Sequence, residues 1–158
     1  MPKRFFEFMS HDERVDCLCY GDWAKFPCEA VLLKRGDKPS GLRVLLSGEA
    51  LVSIRGRPVA TLEAGDVFGE MSFALARPAT ADVLATTEVS VLVMRPHQLD
   101  RLTEHHPRLA GALYRSLATE LARRVSLRLA ELQRQTLRES GTRKRHRSVL
   151  SGAKGSIY

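Results

Sequence analysis

The 158-residue sequence predicts a mostly β fold with flanking helices: an antiparallel barrel or sandwich, then a long C-terminal amphipathic helix. Two observations carry that prediction. Between residues 30 and 94, short apolar runs recur about every ten residues between Gly- and Pro-rich turns, as in closed antiparallel β architectures. Beyond Met94 the apolar spacing changes to three and four, which is the period of a helix buried on one side.

The elements follow in order. Ser10 precedes His11-Asp12-Glu13-Arg14-Val15-Asp16-Cys17-Leu18, and a Ser with Glu three residues later is a capping box that opens a short helix. Strand runs follow at Ala30–Leu33, Leu42–Leu46, Ala50–Ile54, Pro58–Leu62, Thr80–Ala85 and Val89–Met94. Gly36-Asp37-Lys38-Pro39-Ser40-Gly41, Ser47-Gly48, Gly56 and Gly65-Asp66 supply turns. Leu99 and Leu102 mark a helix that stops near His105-His106-Pro107. Leu109, Leu113, Leu117, Leu121, Val125, Leu129 and Leu132 then form one stripe of a helix expected over about 108–137. At 1.5 Å per residue that helix extends about 40 Å, more than a small barrel covers, so part of the stripe must face something else. Gly141 is expected to end it. The division is an N-terminal segment 1–9, a domain 10–137, and a basic tail 138–158 expected to be disordered.

Composition narrows the function class. The net charge of +7 is concentrated in the tail, where six basic residues face one acidic residue. The rest of the chain is nearly neutral, so nucleic acid is not expected as a partner of the domain. The tail segment Arg143-Lys144-Arg145-His146-Arg147-Ser148 has no recognition helix or aromatic platform beside it and reads as solvated. No apolar run approaches a membrane span or a secretory signal, which leads us to expect a cytoplasmic protein. Cys17, Cys19 and Cys28 lack the paired ligands of a zinc site and read as reduced thiols. The five His lie outside the strand runs, so the metal site of a barrel enzyme is missing. No Ser-His-Asp or Cys-His arrangement stands out, and no catalytic residue is expected.

The segment 65–83, Gly-Asp-Val-Phe-Gly-Glu-Met-Ser-Phe-Ala-Leu-Ala-Arg-Pro-Ala-Thr-Ala-Asp-Val, carries the chemistry. Gly69 allows a sharp turn and a close approach to a ligand. Met71 to Leu75 form a short helix whose first N–H groups carry positive potential, a setting for an anion. Glu70 stands at the mouth of that turn, where a carboxylate also stabilises a helix start without any ligand.

This segment resembles the phosphate-binding cassette of the cyclic nucleotide-binding domain, the module of catabolite activators and of cyclic-nucleotide-gated channels and kinases. Gly36-Asp37 and Leu45-Leu46-Ser47-Gly48-Glu49-Ala50 resemble earlier marks of that family. The resemblance covers residues 10–135 and implies an eight-stranded antiparallel double-stranded β-helix, a jelly-roll barrel. It implies a ligand, cAMP or cGMP, held by Phe68, Gly69, Glu70, Met71, Ser72, Arg77, Pro78, Ala79, Thr80 and Ala81. Glu70 would accept from the ribose 2′-hydroxyl, and the amides of Met71 and Ser72 would hold ribose and phosphate. Thr80 would offer a hydroxyl, and Ala81 an N–H. The family places an Arg on the phosphate where this chain has Ala79. Arg77, two residues earlier, is the candidate replacement if the chain there is extended. Alignment with the activators puts Arg128 and Leu129 at a lid over the purine, and Leu129 cannot hydrogen-bond a base edge.

The expected function is a non-enzymatic regulatory domain that senses a cyclic nucleotide or related anion and signals through its C-terminal helix, as a homodimer. The alternatives are the same fold with a non-binding pocket, used for dimerisation or docking, and a DNA-binding regulator without its reading head.

Overall fold

In the computed structural model of the chain, residues 5–152 are described, with side chains described over 5–136. Eight strands form two antiparallel four-stranded sheets. Strands β1 (Asp22–Phe26), β8 (Val89–Met94), β3 (Leu42–Ser47) and β6 (Val67–Phe68) form one sheet, in the order β1-β8-β3-β6. The second, in the order β2-β7-β4-β5, contains β2 (Val31–Leu33), β7 (Asp82–Ala85), β4 (Ala50–Ile54) and β5 (Arg57–Leu62). The expected jelly roll is thus present as two facing sheets and not as one closed barrel. Strands β1 and β6 escape the apolar pattern because β1 is half polar and β6 has two residues.

Between the sheets lies an apolar cluster that includes Leu33, Leu45, Phe68, Val83 and Val91. Along β3 the side chains alternate: Leu45 belongs to this cluster, whereas Leu42 and Val44 are buried outside it. A second buried set comprises Leu42, Val44, Leu92 and Met94 of the first sheet with Leu99, Leu102 and Leu113 of the helices. Phe5 and Phe6 are fully buried and meet edge to face. The segment read as lying outside the domain therefore supplies core. Full burial of a Phe contributes about 1.5–3 kcal/mol, enough to order a short leading segment.

Four helices complete the chain. In α1 (His11–Tyr20) the capping box is formed as expected: Glu13 N–H donates to Ser10 Oγ at 3.2 Å and Ser10 N–H to Glu13 Oε2 at 2.8 Å. Helix α2 (Glu70–Leu75) is the inserted helix of the cassette, and α3 (Pro96–His105) precedes α4 (Pro107–Gly152). Helix α4 continues past Gly141, against expectation. One glycine costs about 1 kcal/mol in a helix, too little to stop it between Arg, Glu and Lys, which favour helix. Residues 153–158, the rest of the expected tail, lie outside the described residues.

The chain divides into two compact units, one up to Glu120 and one from Leu121. In the first, Leu109, Leu113 and Leu117 of α4 are buried. In the second, Val125, Leu129 and Leu132 are 59%, 55% and 56% exposed.

Candidate functional site

The cassette is hung from β3. Gly65 N–H donates to Leu45 O at 2.7 Å and Leu45 N–H to Asp66 O at 2.9 Å, while β6 pairs Val67 with Val44 and Phe68 with Arg43. Asp66 Oδ2 accepts from Glu63 N–H at 2.8 Å and closes the turn. The chain then turns at Gly69, whose φ of +76° lies in the left-handed region. A side chain there would also collide: a Cβ would stand 3.0 Å from Arg43 Nη1 and 3.3 Å from Gly41 O.

Helix α2 starts directly after this turn. Glu70 is its first residue and is only 6% exposed, so the carboxylate is held inside the protein. Among the described residues no buried side-chain oxygen or nitrogen lacks a hydrogen-bond partner. Helix geometry leaves the N–H groups of Met71 and Ser72 without an acceptor inside α2. Met71 and Leu75 point outward and are exposed. The Ser72 hydroxyl closes the other end, donating to Arg77 O at 2.7 Å, and Arg77 N–H returns to Ser72 O at 3.2 Å. Ala76 adopts φ +50° at this C-cap.

Beyond α2 the expected residues separate. Arg77, Pro78 and Thr80 are exposed and Ala81 is half-buried. Ala79 is 5% exposed and belongs to the inter-sheet cluster. Its backbone is laced to the first turn, with Ala79 N–H donating to Asp37 O at 2.9 Å and Gly36 N–H donating to Ala79 O at 2.8 Å. Asp82 Oδ1 accepts from Arg35 N–H at 2.8 Å beside it. Arg77 and Ala79 thus do not share an environment. The left-handed turn at Ala76 and the Ser72 clasp hold Arg77 at the helix end, whereas the Ala79 backbone is tied to the Gly36-Asp37 turn. Arg128 and Leu129 lie in the second unit, where Arg128 Nη1 meets Glu131 Oε2 at 2.8 Å and Leu129 is exposed.

One residue at the site was missed by sequence reasoning. Arg43 of β3 is half-buried and presents its guanidinium to Gly69, with Nη2 donating to Ser40 Oγ at 2.7 Å. Burial depresses its pKa, an effect that Asp37 opposes and Arg95 reinforces. The available signal was parity: Arg43 stands two residues before Leu45 in a strand that is otherwise apolar from Leu42 to Leu46.

The fold is matched by known proteins. A family model described as "Cyclic nucleotide-binding domain" fits residues 23–106, more than half of the chain. The chain belongs to the cyclic nucleotide-binding domain family. Among curated proteins, this cyclic nucleotide-binding domain is 39% identical over 72 residues to a cAMP-dependent protein kinase regulatory subunit of Emericella nidulans. That match covers 44% of the chain and 18% of the relative. It is also 32% identical over 87 residues to a cyclic nucleotide-gated potassium channel of Rhizobium etli, covering 55% of the chain and 24% of the relative. The chain thus spans less than a quarter of the length of these relatives.

Among solved structures, the Thermus thermophilus catabolite activator protein superposes with a TM-score of 0.69 at 26% identity, covering 85% of this chain and 62% of that one. A cyclic nucleotide-binding domain from Methylobacillus flagellatus also gives 0.69, at 22% identity, over 99% of this chain and 86% of that one; it supports the fold alone. Among the described residues no helix is long and apolar enough to cross a membrane.

Proposed function

We propose that this cyclic nucleotide-binding domain is a regulatory module of the cytoplasm that binds a cyclic nucleotide, cAMP or cGMP, or a related anion. Binding would use the 65–83 cassette and would be passed on through the C-terminal helix to a second copy of the chain. The working domain in this reading is 10–137, with 138–158 as a basic tail and no catalytic role. The observation that carries it is the buried Glu70, set directly after the left-handed Gly69 at the start of α2. A buried carboxylate at the mouth of a short helix is placed to accept the hydrogen bond of the ribose 2′-hydroxyl, the one free hydroxyl of a 3′,5′-cyclic nucleotide, while the amides of Met71 and Ser72 would meet its anion. Phe68, Pro78, Thr80 and Ala81 would complete the pocket.

Ala79 favours a second reading. Its burial in the apolar cluster leaves no cation where the family has its Arg. A charge-assisted hydrogen bond contributes about 1.5–3 kcal/mol, so its loss lowers affinity about tenfold to a hundredfold. In this reading the fold serves as a dimerisation or docking module.

A thermal melt of the full chain with cAMP and with cGMP separates the two. A rise in Tm that Glu70→Ala removes is expected for the sensing domain. No rise at about 1 mM ligand, where Kd corresponds to roughly −4 kcal/mol, sinks it in favour of the docking module.

A further inference from the structure

Arg43 is a charged residue on the wrong side of its strand. It has the same parity as Leu45, and its cross-strand neighbours are Phe68 on β6 and Val93 on β8. Phe68 and Leu45 lie in the apolar cluster between the sheets, and Val93 packs against it. Cross-strand partners share a face, so the guanidinium stem enters from the interior face of the sandwich, where an unpaired charge is costly. Along that face it reaches the cassette at Gly69, where its Nη1 occupies the space a side chain would need.

Its partners leave it under-used. A guanidinium has five N–H donors, and among the described residues this one donates a single hydrogen bond, to Ser40 Oγ. Asp37 attracts it, and Asp37 O also accepts the Ala79 N–H. Arg43 therefore stands between the two ends of the cassette: Gly69, which opens it, and the 36–41 turn, to which Ala79 is laced.

We propose that Arg43 supplies the cation for the phosphate of a bound 3′,5′-cyclic nucleotide, in place of the side chain absent at Ala79. The inference rests on the sensing reading above and adds the residue that pairs with the anion. It uses a planar donor fork suited to two phosphate oxygens. It also makes Arg43 more decisive than Arg77, which is exposed at the far end of α2.

The test is calorimetric titration of the full chain with cAMP and cGMP. Arg43→Gln, with its melting checked, is expected to weaken binding about tenfold or more. Folded Arg43→Gln that binds as tightly as wild type overturns the proposal and leaves the sensing reading intact. Wild type that binds neither nucleotide overturns both. If Arg43→Gln does not fold, the wild-type arginine Nε–H resonance of Arg43 is followed by NMR. It is expected to shift on saturation with nucleotide, and an unmoved resonance overturns the proposal.

Discussion

Gly69 is the residue on which the cassette turns, for two reasons that act together. Its φ of +76° is strained for any side chain, and a Cβ would press on Arg43 Nη1 and Gly41 O. Gly69→Ala is therefore expected to cost about 1–3 kcal/mol in urea unfolding and to abolish any nucleotide-induced rise in Tm. An Ala variant as stable as wild type would show that the turn relaxes freely. Cys17 offers a separate check on burial. Its thiol is pushed up from 9.0 to about 12 by desolvation alone. The folded state keeps this proton while the unfolded state releases it, so the group's contribution is full below about pH 9 and declines as pH rises toward 12. Across pH 8 to 11 the wild type is expected to lose urea stability relative to Cys17→Ala; parallel curves would refute the assignment. At this scale sequence reading placed the turn at Gly69 and the helix start at Glu70, because a Gly-Glu pair at a helix start has a local reason to exist. It missed Arg43 because a single Arg in a strand means little until register shows which face it occupies.

The elements were legible where their signals are local. The Ser10–Glu13 box is read from two residues four positions wide and forms as expected, with Ser10 holding the Glu13 carboxyl below its usual range. Ser10→Ala is expected to destabilise the protein by about 1 kcal/mol, measured by urea unfolding. A change near zero would mean that the buried Phe5, Phe6 and Met9 fix this end of α1 without the cap. Strand β6 was invisible as a two-residue pattern and exists only because β3 pairs with it. The end of α4 was misplaced for the opposite reason: Gly141 is a local stop signal, too weak against the helix formers around it. The Arg77 replacement rests on extended chain before Pro78; the structure sets a left-handed cap at Ala76 just ahead of it and leaves Arg77 exposed.

For the whole molecule, the stripe of α4 divides its work. Leu109, Leu113 and Leu117 are buried in the first unit, whereas Val125, Leu129 and Leu132 of the second remain exposed. An apolar row of that kind on a helix fits a second copy of itself. Light scattering is expected to give a dimer for the wild type and a monomer for Val125→Glu/Leu129→Glu. A wild type that is monomeric at about 100 μM would remove the dimer from the proposal. Six of the eight strands, the glycine turn that opens α2, the cap of α1 and the helical stripe were legible in the sequence alone, because periodicity, turn chemistry and a local motif are written in neighbouring residues. Only the tertiary structure decided that the sheets face each other without closing and that Ala79 is sealed in the apolar cluster. It alone brought Arg43 to Gly69. Those outcomes depend on which face of a strand meets which partner, and that is set by pairing between segments more than twenty residues apart.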